Sequence, residues 1–430
     1  MINFKVFLEE KDEEKKNPSK KFIQLDKGFI PPKSLGKIIE AFGNSSNVEI
    51  MSDTSKEIKL SKKALYLCGG SVRDFLTNKT PKEFHLVTDA TPVQMMHILN
   101  AANFYMNEPK GNIPVPFKVN PKKDDSKEFE LIEENNESVG VKVTVDGMQF
   151  NIHTLNEDPK TGSFSTNFTN DLEVDAEKRD MTINALYIEL SKPDGENNKL
   201  FDPTNKGWHD IQHGIVRMVG SSKDRLSEDP TRALRAMRFQ SKMSKNSKLD
   251  DDLVKSIKDM SRISPRQARE ELMKSLSDDD IDIQTLIKLY KNNNLTNSLF
   301  ANLDLNQEVP ESISRCSDPH VKLSWILKNN PSDNITKYIN RLTTSPEGTY
   351  ETGWEDSDRE KVLFFVKLDQ LNDDNFVDVI HNKSILGISP KLIDSWIQAY
   401  NLSDSEGLIK QRRPAWANKV KAMTKYRNFK

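Results

Sequence analysis

Only two cysteines, Cys68 and Cys316, occur in the 430 residues. So few, so far apart, they exclude a disulfide framework and a zinc cluster and point to a reducing, cytoplasmic setting. Long apolar runs are missing too: none approaches the 18 residues of a membrane helix, so no membrane partner is expected. The first ten residues pass from a short apolar stretch straight into acids, which is not the pattern of a secretory signal. Nor is there excess positive charge. Lys+Arg 63 against Asp+Glu 65 leaves a net charge of −2, which rules out a uniformly basic nucleic-acid coat and leaves local patches as the only footprints. Hydrophobic residues are a modest 35%, and the length predicts two to four domains at roughly 100–200 residues each.

Residues 1–60 read as an N-terminal extension rather than core, with Phe4, Phe7 and Leu8 on one face of a docking helix, a charge run from Glu9 to Lys21 and a second apolar patch from Leu35 to Phe42. Residues 1–10 are a candidate protein-partner tag. From Leu65 to Cys68 an apolar run predicts a buried strand, and Gly69 and Gly70 permit a tight turn into a helix carrying Val72, Phe75 and Leu76. A second strand is expected over Phe84–Val87. Thr91 and Pro92 then supply an N-cap and a first helical residue for Val93–Ala101. Residues 107–137 crowd Pro, Lys, Asp, Glu and Asn together and read as an insertion loop. Alternating runs Val139–Val145 and Met148–Thr154 around Asp146 and Gly147 predict a hairpin. Beyond Asp180 the chain reads as mostly helical.

Three phrases carry chemistry. Gly69-Gly70-Ser71-Val72-Arg73-Asp74 stands between strand and helix, where glycines let backbone amides approach a phosphate. Lys178-Arg179-Asp180-Met181-Thr182-Ile183-Asn184-Ala185 gathers two cations, a carboxylate and an amide. Glu228-Asp229-Pro230-Thr231 opens a helix on which Arg232, Arg235 and Arg238 recur every three residues, a spacing that predicts a basic stripe. His209 and His213 are spaced i, i+4, but their setting reads as a turn rather than a metal site.

With Phe201-Asp202-Pro203 leading to Gly207, and Ile263-Ser264-Pro265-Arg266 downstream, these phrases stand in the order found in the class II nucleotidyltransferases. Over residues 60–290 the chain resembles that family, the bacterial-type CCA-adding enzymes and poly(A) polymerases. The resemblance implies an α+β fold: a polymerase-beta-like head (small mixed sheet with helices, 61–190), then an all-helical neck (191–290) and body or tail (291–409). It implies that Gly69, Gly70, Ser71 and Arg73 lie against a triphosphate, that Arg179 and Asp180 reach the ribose, and that Asp229 and Arg232 face the base, with Glu228 orienting Arg232; Asp74, Asn184 and Arg235 are further implied nucleotide-binding residues. ATP or CTP is the implied ligand, a tRNA-like RNA 3′ end a further partner, and magnesium the cofactor if the protein is active.

The resemblance breaks at the metal ligands. Counted without a gap from Gly69, the family's Asp-x-Asp positions fall on Glu83 and His85, and its third carboxylate falls on Asn151; the arginine after that strand is Asn156. Of the three positions only Glu83 keeps a carboxylate and so remains a metal-ligand candidate; an alternative is that Glu83, His85 and Asp89 hold a softer ion that suits imidazole, such as zinc. Since one lost preorganised group costs about 10²–10³ in rate, two losses cost roughly 10⁴ or more. The expectation is a nucleotide-binding protein with impaired transfer. The alternatives are an active enzyme adding C or A to RNA ends, and a structural protein, of a phage particle for instance, that reuses the fold. Residues 410–430 form a basic tail with no acid, in which Trp416, Tyr426 and Phe429 stand among lysines and arginines as in RNA-binding segments.

Overall fold

A computed structural model describes residues 22–25, 28–51, 57–106, 127–134, 137–155, 171–195, 198–243, 246–257 and 263–293, with shorter pieces, chiefly 318–343, up to Val366. Residues 1–21, Asn156 and the basic tail lie outside the described residues. The chain divides into two compact units, Met1–Ser221 and Ser222–Lys430.

The first unit is built on a nine-stranded mixed sheet. In chain order its parts are β1 (Phe22–Gln24), α1 (Lys33–Gly43), a separate two-stranded hairpin of β2 (Glu49–Met51) and β3 (Glu57–Lys59), β4 (Leu65–Cys68), α2 (Gly70–Leu76), β5 (His85–Thr88), α3 (Pro92–Ala101), β6 (Tyr105–Met106), β7 (Lys127–Glu134), β8 (Glu137–Val145), β9 (Met148–Thr154), α4 (Leu172–Lys178), β10 (Tyr187–Glu189), β11 (Lys199–Phe201) and α5 (Gly207–His213). The spatial order is β1-β11-β10-β4-β5-β9-β8-β7-β6, with β5–β9 and β6–β7 parallel and the other pairs antiparallel.

Alternation along the strands sorts the side chains onto two faces. Leu65, Leu67, Leu86, Val141, Val143, Phe150, Ile152 and Ile188 point to the larger core, which α1 closes with Leu35, Ile38, Ile39 and Phe42 and α3 with Met95, Met96, Ile98 and Leu99. Tyr66, Cys68, Val87, Tyr187 and Phe201 point to the other face, where Leu172 and Ala176 of α4 cover them. Thr91 caps α3 with a full capping box to Gln94. Asp146 and Gly147, at φ 50° and 78°, make the two-residue left-handed turn that joins β8 to β9.

Three expectations need correction. Residues 22–60 are not an appendage: β1 is a strand of the main sheet and α1 is half of its cover, because a Leu35, Ile38, Ile39, Phe42 stripe at helical spacing must be buried somewhere. Within the supposed insertion loop, Lys127–Glu134 and Glu137 are strand, since Phe129 and Leu131 alternate with acids that keep to the opposite face. After Asp180, β10 and β11 still belong to the sheet, so the helical region starts later than composition suggests.

The second unit carries α6 (Ser222–Glu228), α7 (Thr231–Lys242), α8 (Asp251–Ser256), α9 (Pro265–Ser277), α10 (Ile283–Asn292), α11 (Pro319–Leu327) and α12 (Ser332–Thr343). Ser264 with Gln267, Asp282 and Asp318 cap α9, α10 and α11.

If α1 is core, Ile38→Ala, at a position with no solvent exposure, lowers unfolding free energy by about 2–5 kcal/mol. Denaturant melts check this, and an extension that merely docks shows no such loss.

Candidate functional site

Gly69 turns the chain from β4 into α2 at φ 67° and ψ −139°, a region open to glycine. Ser71, next in α2, is spent on the scaffold. Its hydroxyl donates to the Glu83 carbonyl and accepts from the His85 backbone N–H, both at 2.9 Å, which ties the glycine turn to the start of β5.

Arg73 is buried, and a buried cation must be paired. It donates from Nε and Nη2 to Asp74 Oδ1 at 3.0 and 2.7 Å, and from Nη1 to Asn184 Oδ1 at 2.8 Å. Asn184 Nδ2 then donates to Asp180 Oδ1 at 3.0 Å, and that oxygen also accepts from the Met181 N–H. The structure thus brings four predicted residues, Arg73, Asp74, Asn184 and Asp180, into one chain of hydrogen bonds. Arg179 is held separately, by Asp175 Oδ2 at 2.9 Å from Nη2, by the Tyr187 hydroxyl at 2.7 Å from Nε and by Cys68 Sγ at 3.3 Å. Both guanidiniums border the turn: a Cβ placed on Gly69 would lie 3.4 Å from Arg179 Nη1, and one on Gly70 would lie 3.3 Å from Arg73 Nη2.

Sequence reasoning missed the supports behind these residues. Asp175 is one helical turn before Arg179, a spacing that pairs side chains. Asp210 has no exposure and accepts from Thr182 Oγ1 at 2.7 Å and from Arg217 Nε at 3.0 Å, fixing the turn that carries Asn184. Gly207 makes room for that turn, since a Cβ there would meet the Thr182 carbonyl oxygen at 2.5 Å. Tyr187 and Cys68 gave no polar signal, because both sit in runs that read as core.

The three residues expected at the metal-ligand positions lie close together. His85 pairs in register with Asn151 across the parallel β5–β9 ladder, and both side chains are exposed. Glu83 Oε2 stands 3.6 Å from His85 Nε2. The same register row runs through Tyr187, Cys68, His85, Asn151, Lys142 and Glu130, one residue from each of six strands. Magnesium takes hard oxygen donors and negative charge. Here one carboxylate faces an imidazole at the expected place of the second acid, an amide stands at that of the third and an ammonium comes next in the row, so the donor set does not fit a two-magnesium centre. Among the described residues, no group of three His, Cys, Asp or Glu side chains is placed to hold a metal ion. His209 and His213 stack at 4.1 Å, and His213 Nδ1 meets the His209 carbonyl oxygen at 2.9 Å. A cavity of about 250 Å³ lined by Phe42, Lys62, Lys63, Leu65 and Glu189 lies at the opposite end of β4 from the glycine turn.

In the second unit, Glu228 Oε2 accepts from Arg232 Nη1 at 2.6 Å and from Arg225 Nη1 at 2.8 Å. Asp229 Oδ2 accepts from Arg235 Nη2 at 2.7 Å, and Asp229 Oδ1 takes the Thr231 hydroxyl. The predicted basic stripe is therefore not a solvated one. Arg232 is buried, Arg235 and Arg238 are half-buried, and Glu271 of α9 faces the latter two at 3.6 and 3.4 Å. Packing against α9 and α10 covers this side of α7 and demands acids for each arginine.

Residues 65–217 match the poly A polymerase head domain family. The mitochondrial CCA tRNA nucleotidyltransferase 1 of Mus musculus is 28% identical over 315 residues, covering 71% of this chain and 63% of that protein. Poly(A) polymerase I of Salmonella typhimurium is 28% identical over 190 residues, 41% of this chain and 34% of that protein. The CCA-adding enzyme of Staphylococcus epidermidis is 27% identical over 220 residues, 50% and 46% of the two chains. The chain thus spans less than two thirds of the length of these relatives. In fold it is similar to a tRNA-processing enzyme in a complex (TM-score 0.53, 15% identity, 84% of this chain and 87% of that one) and to a CCA-adding enzyme with CTP (TM-score 0.51, 17%, 89% and 82%).

Two measurements test the site's supports. Asp175→Ala leaves the Arg179 charge without its carboxylate and costs about 3–5 kcal/mol in unfolding free energy. His153, two residues beyond Asn151, is lowered to about 4 by burial, with His85 and Arg179 adding to the effect. The folded protein therefore binds this proton less readily than the unfolded chain. Stability falls as pH drops from about 6.5 towards about 4 and levels off below, and His153→Gln flattens that part of the melting-temperature profile.

Proposed function

We propose that this chain, which belongs to the class II nucleotidyltransferase family of CCA-adding enzymes and poly(A) polymerases, binds ATP or CTP and has lost most of its nucleotide transfer. The observation that carries the reading is a contrast within one end of the sheet. The glycine turn keeps its glycines, its two bordering guanidiniums and the Arg73–Asn184–Asp180 chain. At the adjoining strand ends stand Glu83, His85 and Asn151, the residues on which the family resemblance, counted from Gly69, puts the three carboxylates.

In this reading Gly69, Gly70, Arg73 and Arg179 provide the positive, side-chain-free surface that a triphosphate needs, and Asp180 and Asn184 face the ribose. Ser71 and Asp74 serve by position: one holds β5 to the turn, the other keeps Arg73 in place. Asp229, Arg232 and Arg235 of the second unit are the positions for which the family resemblance implies base recognition, and Glu228 fixes Arg232 through its 2.6 Å contact. Transfer requires deprotonation of an RNA 3′ hydroxyl and charge neutralisation at the reacting phosphate. An imidazole and an amide supply neither a two-metal centre nor its charge. RNA is the acceptor class that the relatives' names suggest, and it enters here as part of the proposal.

Single-turnover assays with labelled CTP and ATP, a tRNA lacking its CCA end, and magnesium or manganese in turn check this. Wild-type transfer is expected roughly 10⁴-fold or more below that of an active relative assayed in parallel. The triple variant Glu83→Asp, His85→Asp, Asn151→Glu is expected to regain metal-dependent transfer beyond the sum of its single changes. Wild-type addition at the relative's rate overturns the reading.

A further inference from the structure

We infer that His85, Asn151 and Lys142 contact the phosphates of the bound nucleotide directly, in place of the divalent cation that carboxylates at this end of the sheet would hold. The inference rests on the nucleotide-binding reading above and names how that ligand's charge is met.

The three residues are consecutive in one register row, on β5, β9 and β8. Each alternates with core residues, Leu86, Phe150 with Ile152, and Val141 with Val143, so all three leave the sheet on the same face. Neighbouring strands are about 4.8 Å apart, so the row sets three side chains along about 10 Å. What changed is the direction of hydrogen bonding. A carboxylate only accepts, and it meets a phosphate through a bridging cation; an imidazole N–H, an amide NH₂ and an ammonium all donate. The side chains are accessible as well: His85 is 58% exposed and Lys142 35%. Lys142 is paired with Glu130 at 3.0 Å, a surface pair whose partner is itself 44% exposed. Glu83, at 81% exposure, stands beside the row within 3.6 Å of His85, with most of its side chain in solvent.

Calorimetric titration of the full chain with CTP, ATP and inorganic triphosphate, each in EDTA and in magnesium, tests the assignment. Wild type is expected to bind nucleotide in EDTA as tightly as in magnesium, and inorganic triphosphate is expected to bind as well, because the row reads phosphate and not the base. Asn151→Asp turns a donor into a charge of the wrong sign and raises the dissociation constant in EDTA by about tenfold or more. Magnesium then restores much of the loss. Lys142→Gln weakens binding in both buffers, and His85→Asp behaves as Asn151→Asp does. Asn151 and Lys142 are surface strand positions, so these variants report even where His85→Asp fails to fold; thermal melts confirm folding. Nucleotide binding that needs magnesium, or variants that leave affinity in EDTA unchanged, overturns this inference and leaves nucleotide binding standing. No binding in either buffer overturns both.

Discussion

A buried guanidinium organises the first unit. Arg73 cannot lose its proton, so every group around it answers to that charge. Asp74 neutralises it, Asn184 accepts from its Nη1, and Asn184 is aimed by Asp180. The turn carrying Asn184 is in turn fixed by Asp210, which Arg217 neutralises. Residues from Arg73 to Arg217 are thereby committed to one arrangement by a single requirement, that no charge be left in the interior without a partner. The glycine turn inherits its shape from this arrangement.

The metal positions are outside that chain of obligations. Glu83, His85 and Asn151 are exposed, and none of their side chains supports Arg73 or Arg179. Three acids gathered there would repel one another whenever no cation was present. A histidine and an asparagine in this row avoid that repulsion and break no buried network. The groups that hold the fold and the exposed row are different residues at the same sheet end, so the row can vary without loss of stability.

Legibility followed the physics of the signal. β4, the glycine turn, α3 and the β8–β9 hairpin were readable because short-range rules decide them: an apolar run, two glycines, a Thr-Pro cap, an Asp-Gly turn. The four phrases could be ordered by resemblance. What composition hid was decided at long range. α1 finds its core across the sheet from residues more than fifty positions later, and β7 is a strand whose acids mask two inward apolar residues. The pairing of Arg232, Arg235 and Arg238 was not legible from their three-residue spacing, because their acids arrive from Glu228 and Asp229 just before the helix and from Glu271 more than thirty residues on. Tyr187 and Asp175 went unseen for the same reason, since neither their burial nor their shared guanidinium is a local property.

Cys68 lies at the last position of β4, beneath the glycine turn, 1% exposed as a residue and with its sulfur facing Arg179. Burial pushes its thiol up, against the opposing pull of the guanidinium, so the reactive thiolate is suppressed as well as covered. Its alkylation can proceed only from molecules in which α4 has lifted off the sheet or β4 has parted from its neighbours. The thiol is thus a built-in clock for the opening of this end of the sheet: the rate at which it reacts counts local unfolding events, and any ligand that seats on the glycine turn slows that clock by the factor with which it favours the closed form.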